Sequence, residues 1–303
     1  MLSISTSWNS SLETNWEEWL TQIKSVGLNA IELSYTLNRH QLETIKKLIK
    51  PMGIKVSSIH SFCPIPDDEP SDRHVSNYYR LSSLNDHERM QAAKWTKVCI
   101  DTAKEVGAGV VVIHAGTLEW EDDPSRQLIK MFKQGEQNTT EFDQIRRDFI
   151  KQRLEKRTPY LSALEISLLD VVRYAQRNNI KIGLETRYYP IEIPNFDEVG
   201  FFLDKFEAYG MHYWHDVGHA ELNDQLGLSS HIGFLERYQS RMIGIHLHGI
   251  RETRDHLAPF DGDMKLEKVF PYIKKDFIKV IESRYASVDQ IKFAIEKLSY
   301  LNT

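Results

Sequence analysis

Ile180-Lys181-Ile182-Gly183-Leu184-Glu185 is a short apolar run that closes on a carboxylate. Five other segments share this build: Val56-Ser57-Ser58-Ile59-His60, Val110-Val111-Val112-Ile113-His114, His212-Tyr213-Trp214-His215-Asp216, Met242-Ile243-Gly244-Ile245-His246 and Ile278-Lys279-Val280-Ile281-Glu282. Their length and β-branched content suit buried strands, and each ends on His, Asp or Glu. Packing has no use for a polar ligand-type group at the same place in so many strands. Parallel strands that start together also end together, so these side chains converge on one face. That is the layout of a site at the C-terminal ends of a (β/α)8 barrel.

Outward from these runs, strand signals alternate with helix signals over all 303 residues, as parallel βα units require. Leu2–Thr6 and Ala30–Ser34 supply two further strands, and Trp16, Trp19, Leu20, Ile23 and Val26 recur at helical spacing between them. The expected fold is α/β: one (β/α)8 TIM barrel domain over residues 1–303, with a helical insertion over 117–158 after the fourth strand. That insertion holds nine basic and nine acidic side chains, and the run Arg146, Arg147, Lys151, Arg153, Lys156, Arg157 reads as a solvated helix face.

Composition narrows the function classes. A formal charge of -5 lacks the basic footprint of nucleic-acid binders. No run of ~18 apolar residues exists to span a membrane. The chain opens on a strand, so no secretory signal is expected. Two cysteines, Cys63 and Cys99, give no disulfide framework and suit a reducing, cytoplasmic location.

Glu185, Asp216, His246 and Glu282 end the last four strands. Three carboxylates and one imidazole suit a single divalent metal, Mn²⁺, Mg²⁺, Co²⁺ or Zn²⁺, because clustered carboxylates without a cation repel one another. His60 and His114 stand at the same ring and read either as further ligands or as hydrogen-bond donors to substrate. His219 and His256 lie just beyond strand ends, while His215, His231, His248 and Trp214 read as packing residues. Arg187 and Arg284 follow two of the glutamates and are candidates for a substrate phosphate or carboxylate, or for pairing with a loop carboxylate. Trp8, Phe62 and Trp120 are expected to wall the substrate. Arg39 reads as a surface charge.

The segments Ile113-His114-Ala115-Gly116, Gly183-Leu184-Glu185-Thr186, Asp216-Val217-Gly218-His219-Ala220, Gly244-Ile245-His246-Leu247-His248 and Val280-Ile281-Glu282-Ser283 resemble the xylose isomerase-like TIM-barrel superfamily. That superfamily includes sugar epimerases and isomerases, inosose dehydratases and endonuclease IV. The resemblance implies that Glu185, Asp216, His246 and Glu282 bind one divalent metal, and that Glu185 and Glu282 form the acid/base pair of an isomerase or epimerase working through an enediolate. In the endonuclease IV branch it implies three zinc ions instead. His60, His114 and Glu185 then form one site, Asp216, His246 and Glu282 a second, and His219 and His256 serve a third. The chain departs from that branch at Arg254, where an Asp is expected two residues before His256. The acidic stretch Asp67-Asp68-Glu69 on the catalytic face also argues against a DNA partner. The expected partner is a small carbohydrate, with neither nucleic acid nor membrane; a homo-oligomer is compatible with the exposed helices of such barrels.

Overall fold

Eight strands pair in parallel, each with its sequence neighbour: β1 (Leu2–Ser5), β2 (Ala30–Leu33), β3 (Lys55–His60), β4 (Val110–Ile113), β5 (Lys181–Glu185), β6 (Met211–Asp216), β7 (Met242–Leu247) and β8 (Ile278–Ile281). The ring closes where β1 pairs with β8 through Leu2–Lys279, Ser3–Val280 and Ile4–Ile281. This is the expected eight-stranded parallel barrel. It is seen in a computed structural model that describes residues 1–67 and 77–302.

Helices surround the ring: α1 (Trp16–Ser25), α2 (Arg39–Ile49), α3 (Asp86–Val106), α4 (Ser125–Lys133), α5 (Thr140–Lys156), α6 (Thr158–Arg177), α7 (Phe196–Phe206), α8 (Val217–Gln225), α9 (His231–Tyr238) and α10 (Val288–Leu298). Short polar side chains start many of them. Asn38 and Asn195 form capping boxes with Gln41 and Glu198, and Asn85 accepts from the Glu88 amide. Gly107 closes α3 in the left-handed conformation, with φ 76°. Among the described residues, no helix is long and apolar enough to cross a membrane.

Strand alternation divides each run into an inward and an outward set. Trp214 fills the lower barrel interior with Val110, Val112 and Val280. Flat neighbours make room for its ring: a Cβ on Gly244 would lie 2.1 Å from the indole, and one on Gly183 3.1 Å. Two residues further along, the same inward parity delivers Asp216, His246 and Glu185 to the top of the barrel. The outward set, including Leu184, Tyr213 and Ile245, joins the main apolar core against the helices.

Residues 117–158 contain all of α4 and α5. The basic run of α5 departs from the solvated reading at one position. Lys151 and Lys156 are exposed, but Arg153 is buried and grips Glu198 through two bonds of 2.7 and 2.9 Å. Its remaining donors reach the Pro190 and Glu192 carbonyls. The fork thereby ties α5 to the segment after β5 and to α7.

Candidate metal centre and active site

His246 stands at the middle of the barrel mouth, fully buried. Its Nδ1 lies 2.8 Å from Glu185 Oε1, 3.0 Å from Glu282 Oε2 and 3.6 Å from Asp216 Oδ2. Its Nε2 lies 3.2 Å from both oxygens of Glu32. Glu32 is buried on β2 and accepts a 2.7 Å bond from Ser58. It belongs to the site although it does not terminate its strand. The signal for it is the run Ala30-Ile31-Glu32-Leu33, where a charge sits at inward parity among wholly buried neighbours and needs a partner there.

Glu185 is held from several sides. His60 Nε2 is 3.6 Å from Oε1, His114 Nε2 2.8 Å from Oε2, and Arg187 donates to Oε2 at 2.8 Å. Asp216 has two tasks. It caps α8 by accepting from the His219 amide, and His248 Nε2 lies 3.0 and 3.1 Å from its two oxygens. His248, read from sequence as packing, therefore orients Asp216.

A hairpin of Gly249–Arg251 and Arg254–Leu257 brings in Asp255 and His256. Asp255 Oδ1 is 3.1 Å from His256 Nδ1, and Oδ2 is 3.6 Å from His219 Nε2. His256 Nε2 in turn lies 3.6 Å from Glu282.

Two sets of donor atoms are close enough to share an ion. One is His60, Glu185, His246 and Glu282; the other is Asp216, His219 and His256. In each, all donor atoms lie within 4.8 Å of one another, the span of ligands around a single first-row or Mg²⁺-type cation. Asp216, expected beside Glu185 and Glu282, groups with the second set and touches the first through His246. His114 contacts Glu185 without joining either set.

The electrostatics describe a floor of carboxylates balanced by imidazoles. Burial works against the charge on Glu185, but His60 and His114 overcome it and hold the carboxyl well below its ordinary range. Burial likewise opposes ionisation of Asp216 and Glu282; His219 and His248 overcome it at the first, His246 and His256 at the second. Burial disfavours protonation of His219 and His256 too, yet Asp216 lifts the first to about 9 and Asp255 the second to about 10. His114 goes the other way, pushed down to about 4 by burial and by Arg187. Carboxylates that hold protons on imidazoles in this way form a donor set ready to trade those protons for a metal cation.

The mouth opens into a cavity of about 530 Å³, lined by Tyr35, His60, His114, Glu185, Arg187 and Glu282, among others. Arg187 is buried and spent on Glu185 and Glu192, at 2.8 and 2.7 Å. Arg284 lines the cavity edge. Trp8 and Phe62 do not line it. The Trp8 indole is buried against Trp19 and donates to the Ala286 carbonyl at 2.8 Å, and Phe62 packs in the apolar core. Trp120 stacks on Phe149. Asp67 pairs with Arg39 on the surface; Asp68 and Glu69 lie outside the described residues. A more apolar cavity of about 410 Å³ behind the β5 loop shares Arg187, Tyr189 and Glu192 as its wall, and neither donor set lines it.

A family model described as xylose isomerase-like TIM barrel matches residues 20–147. No curated protein matches the chain in sequence. Among solved structures, a D-tagatose 3-epimerase-like protein superposes with TM-score 0.69 at 18% identity, covering 99% of this chain and 98% of the other. The 3-keto-D-glucoside 4-epimerase of E. coli gives 0.67 at 13% identity, with 99% and 98% covered. The D-psicose 3-epimerase of Clostridium cellulolyticum gives 0.69 at 10% identity, with 99% of each chain covered.

Proposed function

We propose that this barrel, xylose isomerase-like in fold, is a divalent-metal-dependent isomerase or epimerase of a sugar, sugar phosphate or related polyol. One observation carries the reading. Glu185 and Glu282, from strands three places apart in the ring, both bring an oxygen to His246 Nδ1, at 2.8 and 3.0 Å. Two ionised carboxylates addressing one small space from different strands suit removal of a proton on one face of a carbon and its return on the other. The shared fold of enzymes named as 3- and 4-epimerases of ketoses and a keto-glucoside supports this choice.

Glu185, Asp216, His246 and Glu282, with His60 as a further donor, would hold the cation. When bound, Mn²⁺, Mg²⁺, Co²⁺ or Zn²⁺ would polarise the substrate carbonyl and hydroxyl oxygens and stabilise the enediolate. The protein's share is positional. Arg187 and His114 fix one oxygen of Glu185 and leave the other toward the centre. Tyr35, its ring centroid 4.9 Å from that of His60 in an edge-on arrangement, lines the mouth. The reading is tested by incubating the protein with a panel of ketoses and polyols in D2O, with each metal, and following proton exchange and new epimers by NMR. Exchange at the carbon beside the carbonyl supports it; inertness toward every ketose with all metals contradicts it.

Glu32 is expected to tune the metal without touching it. A carboxylate that receives Nε2–H leaves Nδ1 of His246 as the lone-pair side, facing Glu185 and Glu282. Glu32→Gln should weaken metal affinity by about ten- to a hundredfold, read by competition with a fluorescent chelator. Unchanged affinity would reduce Glu32 to a packing partner.

A second reading rests on the second donor set. Asp216, His219 and His256 meet, with Asp255 bridging both imidazoles, so a multi-zinc phosphodiesterase of the endonuclease IV kind is the alternative. Asp255 lies where it can stand in for the acidic residue absent at Arg254. Specific incision of an abasic-site duplex would favour this reading over the first.

A further inference from the structure

Arg284 differs from the other buried or half-buried arginines near the site. Arg187 is matched by Glu185 and Glu192, Arg153 by Glu198, and Arg80 by Glu88 and Glu119. Arg284 has a single side-chain bond, from Nη2 to the Tyr35 hydroxyl at 2.8 Å. That hydroxyl is buried and pushed up to about 12, so it is neutral and balances no charge. Among the described residues, no carboxylate pairs with Arg284. Its acidic neighbours Glu282 and Asp255 pair instead with His246, His256 and His219. A guanidinium has five donors in a planar fork, and most of this fork is unused.

The unused donors border a built space. A second cavity, of about 270 Å³, shares Tyr35 and Arg284 with the catalytic one. Its walls carry the hydroxyls of Ser7, Ser10 and Ser11, while the Thr36 hydroxyl donates to Ser34 and the Gln41 amide is engaged with the Asn38 amide and the Ser11 carbonyl. Ser7 Oγ is buried there with no hydrogen-bond partner, which is costly unless something completes it. Lys133 and Arg254 add cations at the catalytic cavity, and neither forms an ion pair among the described residues. A guanidinium with unused donors beside small hydroxyls holds an oxyanion more tightly than a neutral hydroxyl, because charge-assisted hydrogen bonds are roughly twice as strong as neutral ones.

We infer that Arg284 and the hydroxyl-lined cavity beside it form an anion subsite, which holds a phosphate or carboxylate group of the substrate at the edge of the catalytic cavity. The substrate class is then an acidic sugar, a phosphate ester or a sugar acid. This rests on the isomerase reading for what reacts in that cavity.

Binding without turnover keeps the two claims separable. The full-length protein is stripped of metal with a chelator, and its affinities for D-fructose, D-fructose 6-phosphate and D-fructuronate are measured by calorimetry. With no metal present, an anion preference cannot come from a bound cation, and the protonated imidazoles of the floor are common to every variant, so the Arg284 substitutions separate their share from that of Arg284. At least one of the two anionic sugars should bind about tenfold or more tighter than fructose, the scale of a charge-assisted hydrogen bond. Arg284→Ala should remove the preference, and Arg284→Lys should keep part of it. Ser10→Asp, which places a competing carboxylate in the cavity, should remove it with Arg284 intact and covers the case in which Arg284→Ala fails to fold. Preference for the phosphate or for the carboxylate identifies the group, and either supports the subsite. Equal affinity for all three sugars, no measurable binding of either anionic sugar, or a preference that survives in Arg284→Ala overturns it. Failure here leaves proton exchange on neutral ketoses untouched, and failure of that exchange leaves the binding preference intact.

Discussion

Glu185→Gln is expected to lower turnover by about 10²–10⁴-fold, and Glu282→Gln by a similar factor, the usual range for losing one general acid or base. The amide is isosteric, and the surroundings of Glu185 accept it. Its carbonyl can take the Oε2 position, where it still accepts from Arg187 and faces His114 Nε2, an imidazole pushed down to about 4 and hence neutral, and its NH2 then occupies the Oε1 position toward the centre. Melting temperatures should therefore move little. Proton exchange separates the two glutamates. If one removes the proton and the other returns it, one mutant retains solvent exchange without inversion and the other loses both. Kinetics in D2O with product NMR read this directly. Near-normal epimerisation in either mutant would sink the acid/base assignment.

Removing the metal is expected to change stability as well as activity. A cation held at a hundred times its dissociation constant contributes about 2.7 kcal/mol, so chelation should lower the melting temperature by several degrees and abolish turnover. The pH dependence carries a sign. His219 and His256 rise on folding from 6.5 to about 9 and about 10. Groups with raised folded values stabilise fully below the unfolded value, and that contribution is lost as pH climbs through the folded one. The chelated protein should thus lose stability between about pH 6.5 and 10. The loaded protein should lose less, because a cation beside Asp216 and Glu282 opposes protonation of the neighbouring His219 and His256. Metal uptake should release protons, measurable by calorimetry in buffers of different ionisation enthalpy. Identical melting curves with and without chelator across that range would contradict this balance of charges.

Much of the frame is legible because strands have a period of two. Trp214 and Asp216, Gly244 and His246, and Gly183 and Glu185 are i, i+2 pairs, so a core residue and a polar end fall on the same face. That periodicity also explains why Tyr213 and His215 leave the barrel. They build an outward chain from Thr186 through Tyr213 and His215 to His231 and Glu221. Other features are set by distance across the ring, which no local pattern encodes. Glu32 escapes a search of strand ends because it lies one residue inside its strand. Asp216 is drawn to His219 and His256 by its role as the α8 cap and by the hairpin that follows β7. Trp8 and Phe62 look like substrate walls because they follow strands, but each turns into the apolar core. Arg153 looks solvated within a charged run until the β5 loop folds over it.

The most direct test of the account is metal content, measured by elemental analysis on protein purified without chelator or a metal-affinity tag. About one Mn, Mg, Co or Zn per chain, lost together with turnover on chelation, is the predicted result. Two or three zinc ions per chain would contradict it and place the chemistry with phosphodiesters, and a chain that binds no divalent metal would contradict both readings.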